Sequence, residues 1–452
     1  MVFTKPSEQL IMSYPTIGLS GTSMMPSHII SQFRKLFPDL KIMKPDLYSG
    51  IQMLFTQKQA FHILAVCLGG EGNREANSPS KKLLQWFISQ DQWAAVSNRL
   101  LDSLNYKHIE EKLNKELANA LYGEVLFNSV SRLESFEKCP CMHFLKYGLR
   151  LRERETGDFN QIDLGNALHE ALERFGSVSK DMNQAYTSLS RQEQEQLVDQ
   201  LVNTTLAGMN AEYLMENPRK EYDIRRMKRL VDRTVRTIAR EIEESNFIPS
   251  YFEVPFEQIR QSIADDKVIL TGKIDRVDLL EQEQRIDYRV IDYKSGSQKL
   301  DYSAVYYGLQ MQLAVYAHFA QQLLTEKYPN QTIAPTGIYY YKIDDPLIPV
   351  KDQITDSELE EKIDKELSLS GESDHEIIEV LRKHTLRTIH QSQQKIQDGE
   401  IKVRPILHGT ETGCDYCDYN GICKFDSKLE GFSYRQLKKL DSAEAVRKME
   451  EE

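Results

Sequence analysis

Two aspartates and a lysine in adjacent apolar stretches carry the clearest chemical signal in the chain. Asp292 and Lys294 lie in VIDYKSG, where strand alternation puts both side chains on one face and Tyr293 on the other. If the preceding apolar stretch pairs with this one as a hairpin, Asp275 reaches the same face. Two carboxylates from neighbouring strands suit Mg²⁺ or Mn²⁺, and a lysine beside them can hold a water and offset charge on a phosphate. The set predicts metal-dependent hydrolysis of a phosphodiester bond.

Charged residues usually lie on protein surfaces, so an isolated Asp-x-Lys is most often a solvated strand edge. Here each aspartate interrupts an apolar strand, and a charge within a buried strand needs a reason. Three weaker signals accompany the set. Glu253 alternates with apolar neighbours and could point toward the same site. His169 lies beside the apolar stripe of a predicted helix, where the pattern fits a structural histidine as well as a ligand. Gln312 and Tyr316 lie one helical turn apart and form either a helix surface with a buried tyrosine or a support for the site.

The patterns around these side chains predict a small α/β core. A capping box of Ser131 and Glu134 predicts the start of a helix, and helical patterns continue to about residue 245. Alternation then predicts strands in residues 251–259, 267–280, 285–296 and 336–343. A helical pattern before the last of these strands predicts a helix in residues 304–324. The second and third strands are joined by a short polar turn, so we expect an antiparallel hairpin. This order indicates a mixed small sheet flanked by helices, with a large helical insertion before it.

Three cysteines in the stretch CDYCDYNGIC, Cys414, Cys417 and Cys423, indicate a metal site. Six cysteines in 452 residues, three of them within ten positions, fit metal ligation in a reducing compartment better than a disulfide framework. A metal site built from cysteine usually has four ligands, so the fourth must lie elsewhere. Cys-x-x-Cys spacing suits zinc and iron–sulfur clusters alike, and the residues alone leave the metal open.

The bulk composition is that of a globular protein with segregated charge. The chain is 40% hydrophobic and 28% charged, with a net charge of −11. Its start does not have the pattern of a signal peptide and its most apolar run is broken by polar residues, so we expect a cytoplasmic protein with no membrane span. Residues 217–240 are strongly basic, which fits a solvated helix face and a phosphate-contacting surface equally well. No phosphate loop ending in Gly-Lys-Ser or Gly-Lys-Thr occurs, so we expect no ATPase activity from this chain.

Taken together, these motifs resemble a known nuclease family. SVSRLESFEKCP, GNALHEALERF, LTGKIDRVD, VIDYKSG and GLQMQLAVY, followed by CDYCDYNGIC, occur in the order found in the RecB-type branch of the PD-(D/E)XK nucleases. Within that branch the sequence is similar to the C-terminal nuclease domain of AddB-type subunits of bacterial AddAB helicase-nucleases. The resemblance implies a restriction-endonuclease-like PD-(D/E)XK core with large helical insertions, preceded by a mainly helical, helicase-like segment.

The resemblance also implies roles for individual residues. Mg²⁺ or Mn²⁺ would be bound by the side chains of His169, Asp275 and Asp292 and by the backbone carbonyl of Tyr293. Lys294 would be the catalytic lysine, acting with the same three side chains. Gln312 and Tyr316 match the family's Q-x-x-x-Y motif, and with Glu253 they would support the site or contact DNA.

The same family supplies the missing cysteine. AddB-type domains hold a [4Fe-4S] cluster with one cysteine near the start of the domain and three near its end, so Cys139 would join Cys414, Cys417 and Cys423 as ligands. Cys141 stands where the family commonly has an aromatic residue, and we expect Cys139 rather than Cys141 to be the ligand. A cluster that joins Cys139 to Cys414 would close a long loop. By restricting the unfolded chain, it would stabilise the fold by on the order of 5 kcal/mol.

Three regions and one activity follow from the resemblance. Residues 1–125 would be the end of an inactive helicase-like region, 126–426 the nuclease domain, and 427–452 an acidic tail, helical or disordered. The chain would be the C-terminal part of a longer, nucleoid-associated protein that works with an AddA-type subunit on duplex ends. It would degrade single-stranded DNA as an exonuclease, on the 5′-ended strand, for recombinational repair of double-strand breaks. Two alternatives stay open: a nuclease-like module that only binds DNA ends or docks a helicase, and a stand-alone iron–sulfur exonuclease.

Overall fold

The computed structural model falls into two compact units, Met1–Tyr106 and Lys107–Glu452. It describes residues 7, 10, 12–15, 23–40, 56–69, 79–104, 112–123, 126–152, 161–181, 189–208, 218–257, 268–294, 296, 298–343 and 369–452. The division after Tyr106 lies before the expected boundary at residue 125. The second unit therefore includes the helix Lys115–Tyr122, which the sequence had placed in the first region.

The first unit is helical throughout its described secondary structure. Its helices are α1 (His28–Leu36), α2 (Gln57–Gly69), α3 (Pro79–Ser89) and α4 (Asp91–Leu104). A small core of Leu64, Leu84 and Phe87 holds α2 and α3 together. Phe87 packs edge-on against both Phe61 and Trp93, with ring centroids 5.1 Å apart in each pair.

The second unit is built on a mixed sheet. Its strands are β1 (Leu126–Asn128), β2 (Ile248–Glu257), β3 (Val268–Glu281), β4 (Arg285–Lys294), β5 (Thr332–Lys342) and β6 (Ser370–Glu372). The order is β1-β3-β4-β5-β6, and β2 also pairs with β3. β3 and β4 are antiparallel, as the polar turn between them predicted, whereas β4 and β5 are parallel. The expectation of a mixed sheet is confirmed.

Helices cover both faces of this sheet. The helices before the sheet are α5 (Lys115–Tyr122), α6 (Val130–Lys138), α7 (Pro140–His143), α8 (Gln161–Asp181), α9 (Arg191–Gly208) and α10 (Pro218–Ser245), and those after β4 are α11 (Tyr302–Tyr306), α12 (Gln312–Lys327), α13 (His375–Gln397), α14 (Asn420–Cys423) and α15 (Ser442–Glu451). Tyr288 and Val290 of β4 belong to the core formed with α12 and α13. Ile291 and Tyr293 belong to the core formed with α8, α9 and α10. Because both faces are covered, every residue of β4 between its two ends is buried, including the charged residues Asp287, Arg289 and Asp292.

A glycine divides the helix predicted for residues 304–324 into two. Gly308 has φ +72°, in the left-handed region that favours glycine, and a β-carbon there would come within 3.0 Å of Glu137 and closer still to Thr388. The chain turns at this point, and α12 begins only at Gln312. That start matters for the site, because Gln312 is the first residue of the new helix.

The predicted capping box at Ser131 and Glu134 does not form. Ser129 is the N-cap residue of α6, and its side chain makes no capping hydrogen bond. Glu134 instead accepts a hydrogen bond from the backbone N–H of Met311, at 2.7 Å, next to the first residue of α12. Glu134 therefore makes a tertiary contact instead of the local helix cap that the sequence pattern predicted.

The last residues of the chain are ordered against the core. A three-stranded sheet in the order β8-β7-β9 is formed by β7 (Ile406–His408), β8 (Glu411–Thr412) and β9 (Arg435–Leu437). Helix α15 follows, capped by Asp441, and it buries Ala445 and Met449. The segment expected to be an acidic tail is thus part of the fold. Within the described ranges, no helix is both long and apolar enough to cross a membrane.

Candidate active site

Two of the predicted metal ligands, His169 and Asp275, meet Glu253 where α8 lies against β2 and β3. His169 Nδ1 of α8 lies 3.2 Å from Asp275 Oδ2 and 3.7 Å from Glu253 Oε1. One donor atom from each of these three residues lies within 4.8 Å of the others. An imidazole and two carboxylates in this arrangement form a donor set for a divalent metal.

The pairing of β2 with β3 places Glu253 beside Asp275. Phe252 is paired with Arg276 and Val254 with Ile274, so Glu253 falls opposite Asp275. Glu253 has φ +44°, an unfavourable value for a residue with a side chain. Such strain is retained mainly where a site requires it. The sequence ranked Glu253 below the aspartates, whereas the structure makes it a member of the compact donor set.

The hairpin of β3 and β4 brings Asp292 and Lys294 to the same place. Arg276 is paired with Ile291, so the neighbouring position sets Asp275 beside Asp292. The backbone N–H of Tyr293 donates to Asp275 Oδ2 at 2.9 Å, which fixes that carboxylate to β4. The sequence prediction that both aspartates share one face is therefore correct in geometry, although Asp292 lies outside the compact set of three.

Lys294 is held from two sides. Its Nζ lies 2.5 Å from Asp292 Oδ2 and donates to Gln312 Oε1 at 2.8 Å. Gln312 Nε2 in turn donates to the Tyr316 hydroxyl at 2.7 Å. The residues expected from the Q-x-x-x-Y spacing thus form a short chain of hydrogen bonds ending at the lysine.

Asp292 is more deeply buried than Asp275 or Glu253, the other two carboxylates of the site. Its side chain is fully buried, and burial, together with the charge of Asp275, raises its pKa to about 8 against the opposing effect of Lys294. In the part of the chain that the structure describes, Asp292 Oδ1 meets no hydrogen-bond donor. A buried carboxylate oxygen without a donor is costly, and a divalent cation would satisfy it.

The pKa of His169 reflects the same excess of negative charge. Burial lowers the pKa of His169, but hydrogen bonds to Asp275 and Glu253 outweigh it and raise the pKa to about 10. Two carboxylates that draw a proton onto an imidazole form an environment that favours a cation. The donor types and the charge therefore fit a divalent metal ion.

An open cleft of about 1050 Å³ is lined by His169, Glu253, Asp275 and Lys294. Its wall on α8 includes Asn166, Glu173 and Arg174, and Lys273 of β3 projects from the same strand face as Asp275. Lys273 is 60% exposed. A cleft this open, with cationic side chains beside a carboxylate cluster, can admit an extended polyanion.

Comparison of the sequence with known proteins identifies a family. The sequence profile described as the PD-(D/E)XK nuclease superfamily covers residues 128–424. The chain belongs to this superfamily. The match includes every proposed metal ligand and the whole mixed sheet from β2 to β6, so the expected fold class is confirmed, and PD-(D/E)XK nucleases generally use a divalent metal ion.

Three curated relatives illustrate the similarity beyond the nuclease domain. Each is named as the B-type subunit of an ATP-dependent helicase/deoxyribonuclease. The proteins of Lachnoclostridium phytofermentans, Clostridium acetobutylicum and Ruminiclostridium cellulolyticum are 31%, 28% and 31% identical to this chain over 98%, 99% and 96% of its length. The chain spans 42–43% of the length of these relatives. The resemblance to the B-type subunit that the motifs indicated is thus confirmed.

Five cysteines of the superfamily domain line a second, very small cavity of about 10 Å³. They are Cys139, Cys141, Cys414, Cys417 and Cys423. Met142, Leu145 and Tyr419 complete an apolar wall around them. The structure thus brings together the cysteines that the sequence separated, and it includes Cys141, which was not expected to be a ligand.

The thiols share an environment that disfavours charge without a metal. Burial raises the pKa of Cys139 and Cys417, and with the neighbouring thiols it raises the pKa of Cys141 and Cys414 to about 12. Among the described residues, no three cysteine sulfurs lie within 4.8 Å of one another. Four thiolates on one zinc ion, each about 2.3 Å from the metal, would be roughly 3.8 Å apart. In the described structure the cysteine sulfurs are therefore not gathered at the spacing of an occupied zinc site.

Proposed function

We propose that this chain is the nuclease-bearing part of the B-type subunit of a helicase-nuclease and hydrolyses phosphodiester bonds in DNA. The observation that carries this proposal is the donor set of His169, Glu253 and Asp275 beside the Asp292–Lys294 pair, at the side of an open cleft. The names of the relatives, which include deoxyribonuclease, support DNA as the substrate.

Each residue has a distinct part in this proposal. His169, Glu253, Asp275 and Asp292 would hold Mg²⁺ or Mn²⁺, with the Tyr293 carbonyl as a further ligand. When bound, the ion supplies Lewis-acid stabilisation of the charge that develops on the phosphate. Lys294, kept in place by Asp292 and Gln312, orients a water for attack and places its positive charge against the scissile phosphate. Tyr316 fixes the amide of Gln312 and so keeps its carbonyl oxygen toward the lysine.

The partner and the strand are part of the same proposal. No Gly-Lys-Ser or Gly-Lys-Thr phosphate loop occurs in this sequence, so ATP hydrolysis would come from an AddA-type subunit. The helical first unit would belong to the helicase-like part of the longer protein. The complex would act at the nucleoid on duplex ends, with this chain cutting the unwound 5′-ended strand.

We further propose a [4Fe-4S] cluster in the cysteine cavity. Cys139 from the start of the nuclease domain and Cys414, Cys417 and Cys423 from its end would be the ligands. The convergence of these cysteines on one apolar cavity, together with the resemblance to AddB-type domains, supports this proposal. Protein purified without oxygen should contain iron and sulfide at about four atoms each per chain. Stoichiometric zinc without sulfide would rule out this assignment.

End-labelled DNA tests the proposed function. The chain is incubated with single-stranded and duplex DNA labelled at the 5′ or the 3′ end, in Mg²⁺, in Mn²⁺ or in EDTA, with and without an AddA-type subunit. We expect metal-dependent degradation of single strands by the chain alone, and attack on the 5′-ended strand of duplexes once the motor subunit is added. Tight DNA binding without cleavage in either metal would instead assign the chain to an end-binding or docking role. Unchanged duplex degradation without a motor subunit would favour a stand-alone exonuclease.

A further inference from the structure

Glu134 is an acid that contacts neither the metal donors nor the lysine directly, yet it is bonded to the helix that positions the lysine. Glu134 Oε1 accepts a hydrogen bond from the backbone N–H of Met311, at 2.7 Å, across 177 positions of sequence. The backbone N–H of Gln312 is also directed at this carboxylate. Burial raises the pKa of Glu134 to about 7 against the effects of these hydrogen bonds and of Lys138 and Lys294.

The start of α12 depends on this contact. The first N–H groups of a helix have no partner within the helix and need an acceptor from elsewhere. Met311, the N-cap residue of α12, makes no side-chain capping hydrogen bond. Asp374 and Asp441, by contrast, cap α13 and α15 with their own side chains. At α12, the acceptor comes from a different helix.

The capped residue is the one that holds Lys294. Gln312 is the first residue of α12, and its Oε1 accepts the hydrogen bond from Lys294 Nζ at 2.8 Å. A shift of the first turn of α12 would therefore move the amide away from the lysine. Glu137, one turn further along α6, shows the contrast, because it bonds Ser392 and Arg435 instead.

We propose that Glu134 is a positioning residue for the nuclease reaction: it anchors the start of α12 so that Gln312 keeps the Lys294 ammonium against Asp292. The importance of this for cleavage rests on the proposed function of Lys294. The placement of the lysine side chain, however, can be measured without DNA. A carboxylate that only stabilised α12 would leave that side chain unchanged in the folded protein.

Reductive methylation with formaldehyde, quantified at Lys294 by mass spectrometry, measures that placement. Glu134→Ala should raise the labelling rate of Lys294 by about fivefold, the factor expected for one lost hydrogen bond. Glu134→Gln keeps an acceptor oxygen and should stay within about twofold of the parent chain. Asp374→Ala is the matched control, since it removes a helix cap away from the site and should leave Lys294 labelling unchanged. Equal labelling in Glu134→Ala and the parent would overturn the proposal.

A double-mutant cycle tests whether the effect passes through Gln312. In a Gln312→Ala background, Glu134→Ala should add no further labelling, because the lost contact is the same one. Additive increases would overturn the proposed route. In DNA cleavage, Glu134→Ala should lower kcat by about tenfold with KM for DNA unchanged. If the parent chain cleaves no DNA in any metal, the proposed function fails, whereas the labelling result still decides whether Glu134 positions the lysine.

Discussion

Two regions of the protein bring together residues that are distant in sequence, but the surroundings of those residues differ. One region is the carboxylate cleft at β2, β3 and β4, and the other is the cysteine cavity beside α7. In the cleft, charged side chains interrupt buried strands, Glu253 adopts a strained backbone, and an oxygen of Asp292 has no donor among the described residues. In the cavity, the thiols are packed among apolar side chains. The cleft therefore retains unfavourable features that a bound cation and a phosphate can use, whereas the cavity has the enclosed surroundings of a structural group. Substitutions in the two regions should separate cleavage from stability.

The largest effect on stability is expected in the cavity. Cys139→Ser should abolish iron binding and lower the free energy of unfolding by on the order of 5 kcal/mol, because the proposed cluster would close a long loop. Iron and sulfide analysis with chemical denaturation measures both. Cys67→Ser, at a cysteine of the first unit, should retain the iron. Full iron content in Cys139→Ser would show that Cys141 or another group is the ligand.

The largest effect on catalysis alone is expected at Lys294. Lys294→Ala should reduce single-strand cleavage by about 10³-fold, because in the proposed function this group orients the water and offsets phosphate charge. Calorimetric titration should show that Mn²⁺ still binds, and the iron content should not change. Loss of Mn²⁺ binding in this variant would mean that the lysine organises the metal donors rather than the reaction.

A buried histidine near the cavity should make stability depend on pH. His143 is 1% exposed, and burial with the charge of Arg132 lowers its pKa to about 3. The unfolded chain therefore takes up a proton near pH 6.5 that the folded chain does not, so stability falls as the pH falls below 6.5, by about 1.4 kcal/mol per pH unit. In His143→Phe this contribution should disappear from unfolding measured between pH 6.5 and 5. An identical slope in the variant would contradict the assignment.

The smallest effect, with opposite signs for stability and activity, is expected at Glu253. Glu253→Gly removes a side chain from a backbone with φ +44°, so the free energy of unfolding should rise by about 1 kcal/mol. Cleavage should fall by at least about tenfold, since a proposed metal donor is lost. Glu253→Gln keeps the strain and should lose activity without gaining stability. A Gly variant that is less stable than the parent would show that the strain is compensated within the fold.

Local alternation was sufficient to predict the centre of the cleft. Asp275, Asp292 and Lys294 lie in two strands whose apolar pattern fixes which side chains share a face, and the hairpin follows from a short polar turn. The one-turn spacing of Gln312 and Tyr316 likewise holds in α12. These features depend on neighbours in sequence, which is the information that periodicity contains.

Features set by tertiary contacts could not be predicted in this way. The role of Glu253 depends on a left-handed backbone within β2, which no local pattern specifies. The break between α11 and α12 depends on Gly308, packed against Glu137 and Thr388. Glu134 fits a local capping box by sequence but bonds a helix 177 positions away. Cys141 lines the cavity because α7 places it there, which sequence spacing could not show.

Single-turnover cleavage of end-labelled single-stranded DNA tests the central claim most directly. The parent chain, Asp292→Ala and Asp287→Asn are compared in Mg²⁺ and in EDTA. Asp287 is an aspartate of the same strand that accepts hydrogen bonds from Arg285 and Gln282. We predict cleavage by the parent and by Asp287→Asn in Mg²⁺, and a loss of about 10³-fold or more in Asp292→Ala. Equal cleavage by Asp292→Ala and the parent, or undiminished cleavage in EDTA, would contradict the assignment of the metal site.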